Sequence, residues 1–315
     1  MQTRPLTASI QLGGDLAVNR TSFARHLRAA NLTPATVTTY LASLDRFADF
    51  LAAQGMPQDV AAIRREHVEA FIEDQLARWR PATALNRYSG LQAFFRWATE
   101  EGEVRQSPLA HMHKPKLPET PPAVLTPDEL RRILAKCEGP GFEERRDSAI
   151  IRTFIGTGAR LSEIANLRWT PVDPLTHDVD LDAGLIRVLG KGRRERVVHV
   201  GAKAVKALDR YVRLRTRHSH ADLPWLWLAR KGRLTGSGIG QLVRERGAAA
   251  GIPNVHPHRF RHSYAHAMLA AGMQEGDLMQ LAGWRSREML ARYAAATAAD
   301  RAIAAARRFN PGDQL

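Results

Sequence analysis

Five prolines fall between Gln106 and Pro122, in the run Gln-Ser-Pro-Leu-Ala-His-Met-His-Lys-Pro-Lys-Leu-Pro-Glu-Thr-Pro-Pro. Each proline removes a backbone donor and pushes the residue before it out of the helical region. The run therefore reads as an extended, semi-rigid connector over residues 106–122. It divides the 315 residues into two segments, which suits the two domains expected at this length.

Residues 1–17 read as a flexible tail. From 18 to 105 the apolar residues recur at helical spacing. Phe23, Leu27 and Ala30 share one face. Thr33 is placed to cap a second helix, with Pro34 in its first turn. Its inner face carries Val37, Tyr40, Leu41, Leu44, Phe47, Ala48 and Leu51, and Gly55-Met-Pro57 ends it. A third helix is predicted over Glu66–Trp79. A fourth runs over Pro81–Glu101, with Leu85, Tyr88, Leu91, Phe94, Phe95 and Ala98 inward. This is a small all-α domain.

The second domain, 123–315, mixes periods. Thr126 and Glu129 have capping-box spacing. Asp147–Gly156 reads as a buried helix. Residues 185–189 and 196–200 alternate as two strands joined by Gly190-Lys191-Gly192-Arg193-Arg194-Glu195, with Trp225–Leu228 as a candidate third strand. Helical signal then runs from Ser237 to Arg308. The fold class is mainly α with a small β-sheet (α+β).

The net charge is +14, which points to a polyanionic partner. Residues 1–122 hold 14 basic against 12 acidic side chains, and residues 123–315 hold 32 against 20. The phosphate grip is thus expected in the second domain. Only 7 of the 46 basic residues are lysine. Arginine offers phosphate a planar fork, although a GC-rich coding sequence produces the same bias. No 18-residue apolar run appears, so no membrane span is expected, nor is there an apolar secretory core at the start. The single cysteine, Cys137, fits a reducing, cytoplasmic setting. It lies in an ordinary helix without a nearby histidine motif, so no catalytic role is assigned to it.

The chemistry-bearing residues are Thr157-Gly-Ala-Arg160-Leu-Ser-Glu163, His258-Arg-Phe-Arg261-His262, and Leu281 to Tyr293. Breaking a phosphodiester requires a nucleophile, neutralisation of charge on the non-bridging oxygens, and a proton for the leaving oxygen. Arg160 and Arg261 can clamp one phosphate. Glu163, one turn on, can orient Arg160. His258 and Arg261 share a helix face at i, i+3. A tyrosine nucleophile keeps the bond energy in a phosphotyrosyl link, so resealing needs no ATP.

This ordered set resembles the tyrosine recombinases, the phage-integrase family, of the Xer-like kind. The likeness runs from residue 18 to the C-terminal region, where residues 18–105 resemble the family's SAM-like core-binding domain. The resemblance implies Arg160, Lys191, His258, Arg261, Trp284 and the nucleophile Tyr293 as the catalytic set, supported by Glu163, while His262 is read as a packed or hydrogen-bonded histidine that supports the site. Lys191, on the hairpin, would protonate the leaving 5′ oxygen, and His258 would exchange protons with Tyr293. Most members carry histidine where Trp284 stands. Indole donates a hydrogen bond but shuttles no proton, so Trp284 is read as a transition-state donor or as a core tryptophan. Arg193 and Arg194 are expected on backbone phosphate. Neither metal nor nucleotide cofactor is implied. The implied partner is duplex DNA carrying a specific site, bound by a homotetramer on two sites or by one including a hetero-partner recombinase. The tail helix from Asp300 to Phe309 would dock on a neighbouring subunit or pack on its own.

Alternatives remain open at this point. Lys191 also suits a solvated turn, and Tyr293 a core position on an Ala-rich helix. His258, His262 and His266, four apart, could form a metal stripe, although no His-Glu-x-x-His motif is present. A type IB topoisomerase shares the chemistry, and a non-catalytic DNA-binding protein would share the charge.

Overall fold

The computed structural model describes residues 14–118, 122–170, 177–190, 194–284, 286–287, 290, 302–303 and 306–307. The chain divides into two compact units, residues 1–119 and 120–315.

The first unit is helical: α1 (Leu16–Ala29), α2 (Pro34–Ala53), α3 (Arg65–Arg78) and α4 (Pro81–Glu100), with a 3₁₀ turn at Val60–Ala62. Thr33 caps α2 as its chemistry demands, its hydroxyl accepting from the Thr36 N–H at 3.3 Å. The core is aromatic. Phe94 meets Phe95 edge-on at 5.1 Å and Phe23 at 5.4 Å, an arrangement that suits ring quadrupoles. Helices α2 and α4 touch where Gly90 faces Ser43; a Cβ at Gly90 would lie 2.6 Å from the serine side chain.

Three details differ from the sequence-based expectation. Helix α1 starts inside the expected tail, because Leu16 is fully buried and the Asp15 carboxylate accepts the Val60 N–H at 2.7 Å. On α4, Leu85 is only half-buried, whereas Trp97 is buried against Phe23 of α1 at 5.5 Å. This helix has two packed sides, which a single apolar stripe does not describe. The first part of the connector also belongs to this unit. Leu109 is buried in its core, and the Tyr88 hydroxyl donates to the Met112 carbonyl at 2.9 Å. Proline prevents helix there but does not prevent docking.

The second unit begins with α5 (Pro127–Ala135), α6 (Phe142–Thr157) and the short α7 (Leu161–Ala165). The capping box on α5 forms as its spacing predicts: Glu129 accepts from the Thr126 N–H at 2.8 Å, and Thr126 accepts from the Glu129 N–H at 3.2 Å. Then come β1 (Val179–Asp180), β2 (Leu185–Leu189), β3 (Glu195–His199) and α8 (Ala202–Arg215). The three strands form an antiparallel sheet in that order, with Leu185 opposite His199 and Leu189 opposite Glu195. Ile186, Val188 and Val198 point into the core, while Leu189 and Val197 face out.

The third strand of this sheet is β1, not Trp225–Leu228. That stretch instead leads into a separate two-stranded ribbon, β4 (Leu228–Ala229) with β5 (Gly232–Arg233). Two-residue strands carry too little alternation to be read. Trp227 is buried there for a tertiary reason, since its indole N–H donates to the Ile164 carbonyl at 2.8 Å. Helices α9 (Gly236–Ala249), α10 (Pro257–Ala270) and α11 (Glu275–Ala282) complete the described elements. The tail helix expected at 300–309 lies largely outside the described residues. The fold is mainly α with small antiparallel sheets. Among the described residues no helix is long and apolar enough to cross a membrane.

One buried ion network joins the helices of this unit. Asp147 on α6 accepts from Arg146 at 2.9 Å and from Arg246 on α9 at 2.9 and 2.6 Å. Arg146 also donates to the Leu228 carbonyl, and Arg246 to that of Lys136. Asp147→Ala leaves the buried Arg146 without its carboxylate. It should cost about 3–5 kcal/mol, measured as a lower urea midpoint at unchanged slope. A loss under about 1 kcal/mol would show the network to be dispensable.

Candidate active site

The C-terminal end of α11 organises the site. The last carbonyls of a helix lack intrahelical partners and carry partial negative charge. Here three successive carbonyls each take a different arginine. Leu281 accepts from Arg196 Nε at 2.7 Å, Ala282 from Arg261 Nη2 at 2.6 Å, and Gly283 from Arg160 Nη2 at 3.2 Å. Gly283 closes the helix in the left-handed region, φ 63°, and a Cβ there would come within 3.2 Å of the Arg196 guanidinium.

Arg160 and Arg261 reach this point from different elements. Arg160 precedes the first turn of α7. Arg261 lies one turn into α10, which begins at Pro257 as the sequence predicts. Its Nη1 donates to the Gly158 carbonyl at 2.8 Å, two residues before Arg160. Gly158 ends α6 at φ 58°, and a Cβ on it would stand 2.4 Å from the Tyr264 ring. Both the backbone conformation and the close approach require glycine there.

Three guanidinium groups in one place repel one another. The counter-charge is Glu163, whose side chain is 1% exposed. Its Oε1 accepts from Arg160 Nη1 at 2.9 Å and from Arg196 Nη1 at 2.8 Å. Its Oε2 accepts the Arg160 backbone N–H at 2.7 Å and Arg196 Nη2 at 2.7 Å. Burial alone would raise its pKa. The Arg196 hydrogen bonds, the Arg160 N–H and the positive charge outweigh that and hold it below the usual carboxylate value. Glu163 thus stays ionised and fixes Arg160 by side chain and backbone together.

Arg196 is the residue that sequence reading did not single out. It pairs with Val188 in the β2–β3 register, on the inner face beside Val198. A cation at an inward strand position calls for a buried acid, and that was the available signal.

His258 and His262 stack on successive turns of α10, ring centroids 5.7 Å apart. Crowding by protein lowers the pKa of His258, and the nearby charges of Arg261, His256 and Arg160 lower it further. His262 is pushed down to about 4, by burial first and then by the charges of His258, His256 and Arg261. Both are therefore neutral at neutral pH. Among the described residues no group of three or more His, Cys, Asp or Glu side chains could hold a metal ion. Trp284 is 7% exposed and packs with Tyr264, Leu269 and Leu278, and Arg261 lies over its ring at 5.3 Å. The tryptophan is thus a core residue and a neighbour of the arginine pair at once.

Lys191, Arg193 and Tyr293 lie outside the described residues. The flanks of the hairpin are described. The Gly190 N–H donates to the Arg194 carbonyl at 2.8 Å, and the Arg194 side chain is exposed. A Cβ on Gly190 would lie 3.5 Å from Glu163 Oε1, so Gly190 stands beside the carboxylate that holds Arg160. Cys137 is buried, and the charges that act on it are Arg246, Asp147 and Arg152. Burial pushes its thiol up to about 12, so it is no nucleophile.

Removing either Glu163 or Arg196 alone strands charge in the interior. Glu163→Ala and Arg196→Ala should each cost about 3–5 kcal/mol. The double variant should cost clearly less than the sum, as expected for directly coupled residues. Strictly additive denaturation midpoints would contradict the pairing.

The description "Phage integrase family" matches residues 123–300, and "Phage integrase, N-terminal SAM-like domain" matches residues 21–102. The chain is 32% identical over 266 residues to tyrosine recombinase XerC of Oceanobacillus iheyensis, covering 81% of this chain and 84% of that one. It is 32% identical over 271 residues to tyrosine recombinase XerC of Chromobacterium violaceum, covering 84% and 83%. The fold is similar to that of XerH site-specific recombinase bound to palindromic difH substrate, with a TM-score of 0.77 at 17% identity over 97% of this chain and 99% of that one. It is also similar to a lambda integrase dimer bound to a COC′ core site, with a TM-score of 0.68 at 16% identity over 88% and 94%. These likenesses favour the recombinase reading over the topoisomerase one. With its catalytic-domain and SAM-like matches in order along the sequence, the chain belongs to the phage integrase family, the tyrosine recombinases.

Proposed function

We propose that this protein is a site-specific DNA recombinase that cuts and rejoins strands through a 3′-phosphotyrosyl intermediate. The observation that carries the reading is the convergence of Arg160 and Arg261 on adjacent carbonyls of one helix end, with Glu163 ionised behind them. Two guanidinium groups so held are preorganised for the charge that builds on a scissile phosphate.

In the first step the Tyr293 oxygen attacks phosphorus, and the bond to the 5′ oxygen breaks. Neutral His258 takes the phenolic proton, and Lys191 gives one to the leaving oxygen. Trp284 donates to a non-bridging oxygen. Reversal with the 5′ hydroxyl of another strand reseals the backbone without ATP. His262 supports the site through its stacking on His258. Arg193 and Arg194 hold backbone phosphate near the hairpin.

The substrate is duplex DNA carrying a recombination site, and the place of action is the nucleoid in the cytoplasm. A lambda integrase of similar fold is described as a tetramer bound to a Holliday junction. The same assembly is proposed here, as a homotetramer or with a second recombinase.

A nicked suicide substrate tests the reading on DNA recovered by crosslinking from cells. Wild-type protein should form a covalent adduct that Tyr293→Phe lacks. Equal absence from both would remove the enzymatic proposal.

The pH dependence tests the base. His258 titrates below its ordinary 6.5, and only the neutral ring accepts a proton. The second-order rate of adduct formation, which reports the free enzyme, should therefore hold down to about pH 6.5 and fall below it. His258→Gln should lose most of the rate together with this acid limb. A limb that persists in the variant assigns the titration elsewhere.

A further inference from the structure

A second cationic feature lies apart from the site. Between α6 and α8 runs a groove of about 430 Å³, lined also by the residues that follow α5. Arg145 and Arg152 stand on its α6 wall, and Lys203, Lys206 and Arg210 on its α8 wall. The one carboxylate on its lining is the exposed Glu138. None of the five cations forms a salt bridge among the described residues. This is unusual in a chain whose other arginines so often pair with neighbouring acids. Arg145 is steadied by its Nε bond to the Pro140 carbonyl at 3.1 Å. The rest of the side-chain lining is neutral: Ala207, Ser148 and the protonated Cys137 thiol.

The spacing is that of a track, not of a point site. Lys203, Lys206 and Arg210 follow at three and four residues on one helix face, and Arg145 and Arg152 at seven. Each row is therefore roughly 10 Å long, the axial rise of about three nucleotides of one strand. The walls carry no aromatic residue for stacking a base or anchoring a protein. Two of the chain's seven lysines lie here, although lysine is depleted in protein–protein interface cores. We infer that the α6–α8 groove binds the sugar–phosphate backbone of nucleic acid without reading its sequence, as a contact separate from the Arg160–Arg261 site.

Arg152 on the groove's α6 wall stands eight residues before Arg160 in the chain. Its occupant is the duplex DNA that flanks the reacting phosphate, gripped by the same chemistry. The inference rests on the recombinase reading only for its biological use. The binding itself is testable on DNA of arbitrary sequence.

The test is equilibrium binding of a random-sequence duplex across a salt series, with wild-type protein and the variant K203Q/K206Q/R210Q. Each lost phosphate contact lowers the slope of log K against log salt by about 0.9. The variant's slope should fall by about 2–3, whereas K203R/K206R should keep the wild-type slope. Unchanged slopes in the neutralised variant overturn the inference. So does an unchanged slope accompanied by altered self-association, which would make the groove a protein contact. None of the three residues is in the proposed catalytic set. At saturating protein the neutralised variant should therefore give wild-type adduct yield on the suicide substrate. Absence of adduct with wild-type protein would count against the recombinase reading alone, because the salt slopes do not depend on cleavage.

Discussion

The Glu163 carboxylate is the constraint on which the second unit's architecture turns. It is buried, ionised and shared between Arg160 on the turn into α7 and Arg196 on β3. Without it, three guanidinium groups would crowd the end of α11 with only carbonyl dipoles to oppose their repulsion. With it, a strand, a short helix and a helix terminus are locked to one another by charge-assisted bonds of 2.7–2.9 Å. Such bonds are shorter and stronger than neutral ones. Breaking one partner away is costly because the other is left buried.

That arrangement also explains why the site is cationic yet ordered. Side chains that must grip a phosphate repel each other in its absence. Here the opposing field comes from the protein itself: one carboxylate, plus the negative end of a helix. The donors are held before any substrate arrives, the condition for electrostatic stabilisation to be effective at the moment of reaction. The same field acts on α10. Burial and the nearby arginines keep His258 neutral, so a histidine beside two cations can still accept a proton. The packing follows the same logic. Gly158 and Gly283 are glycines because the chain turns left-handed where a ring or a guanidinium already occupies the space of a side chain.

Much of this was legible in one dimension. The helical period of the first unit, the Thr33 and Thr126 caps, the two hairpin strands, read at 185–189 and 196–200 and found at 185–189 and 195–199, and Pro257 at the start of α10 are local facts. They depend on residues within a few positions of one another, so spacing alone carries them. The pairing of Arg160 with Glu163 is local too, being one helical turn. Arg196 was not legible as a site residue, because its partner Glu163 lies 33 positions away and its strand reads as ordinary alternation. The ribbon at 228–233 escaped because two-residue strands have no period. Leu109 escaped because a proline-rich segment can dock on a core without forming an element.

The sequence by itself determined the helical first unit and the family, and it singled out the arginines and histidine to which the chemistry is proposed to belong, since each depends on residue type and short-range spacing. Only the tertiary structure decided that Arg160, Arg196 and Arg261 meet on three successive carbonyls of one helix, that a single buried carboxylate holds two of them, and that a cationic groove lies between α6 and α8. Those facts follow from long-range packing, in which the energy of a charge depends on what the fold places beside it and not on its neighbours in the chain.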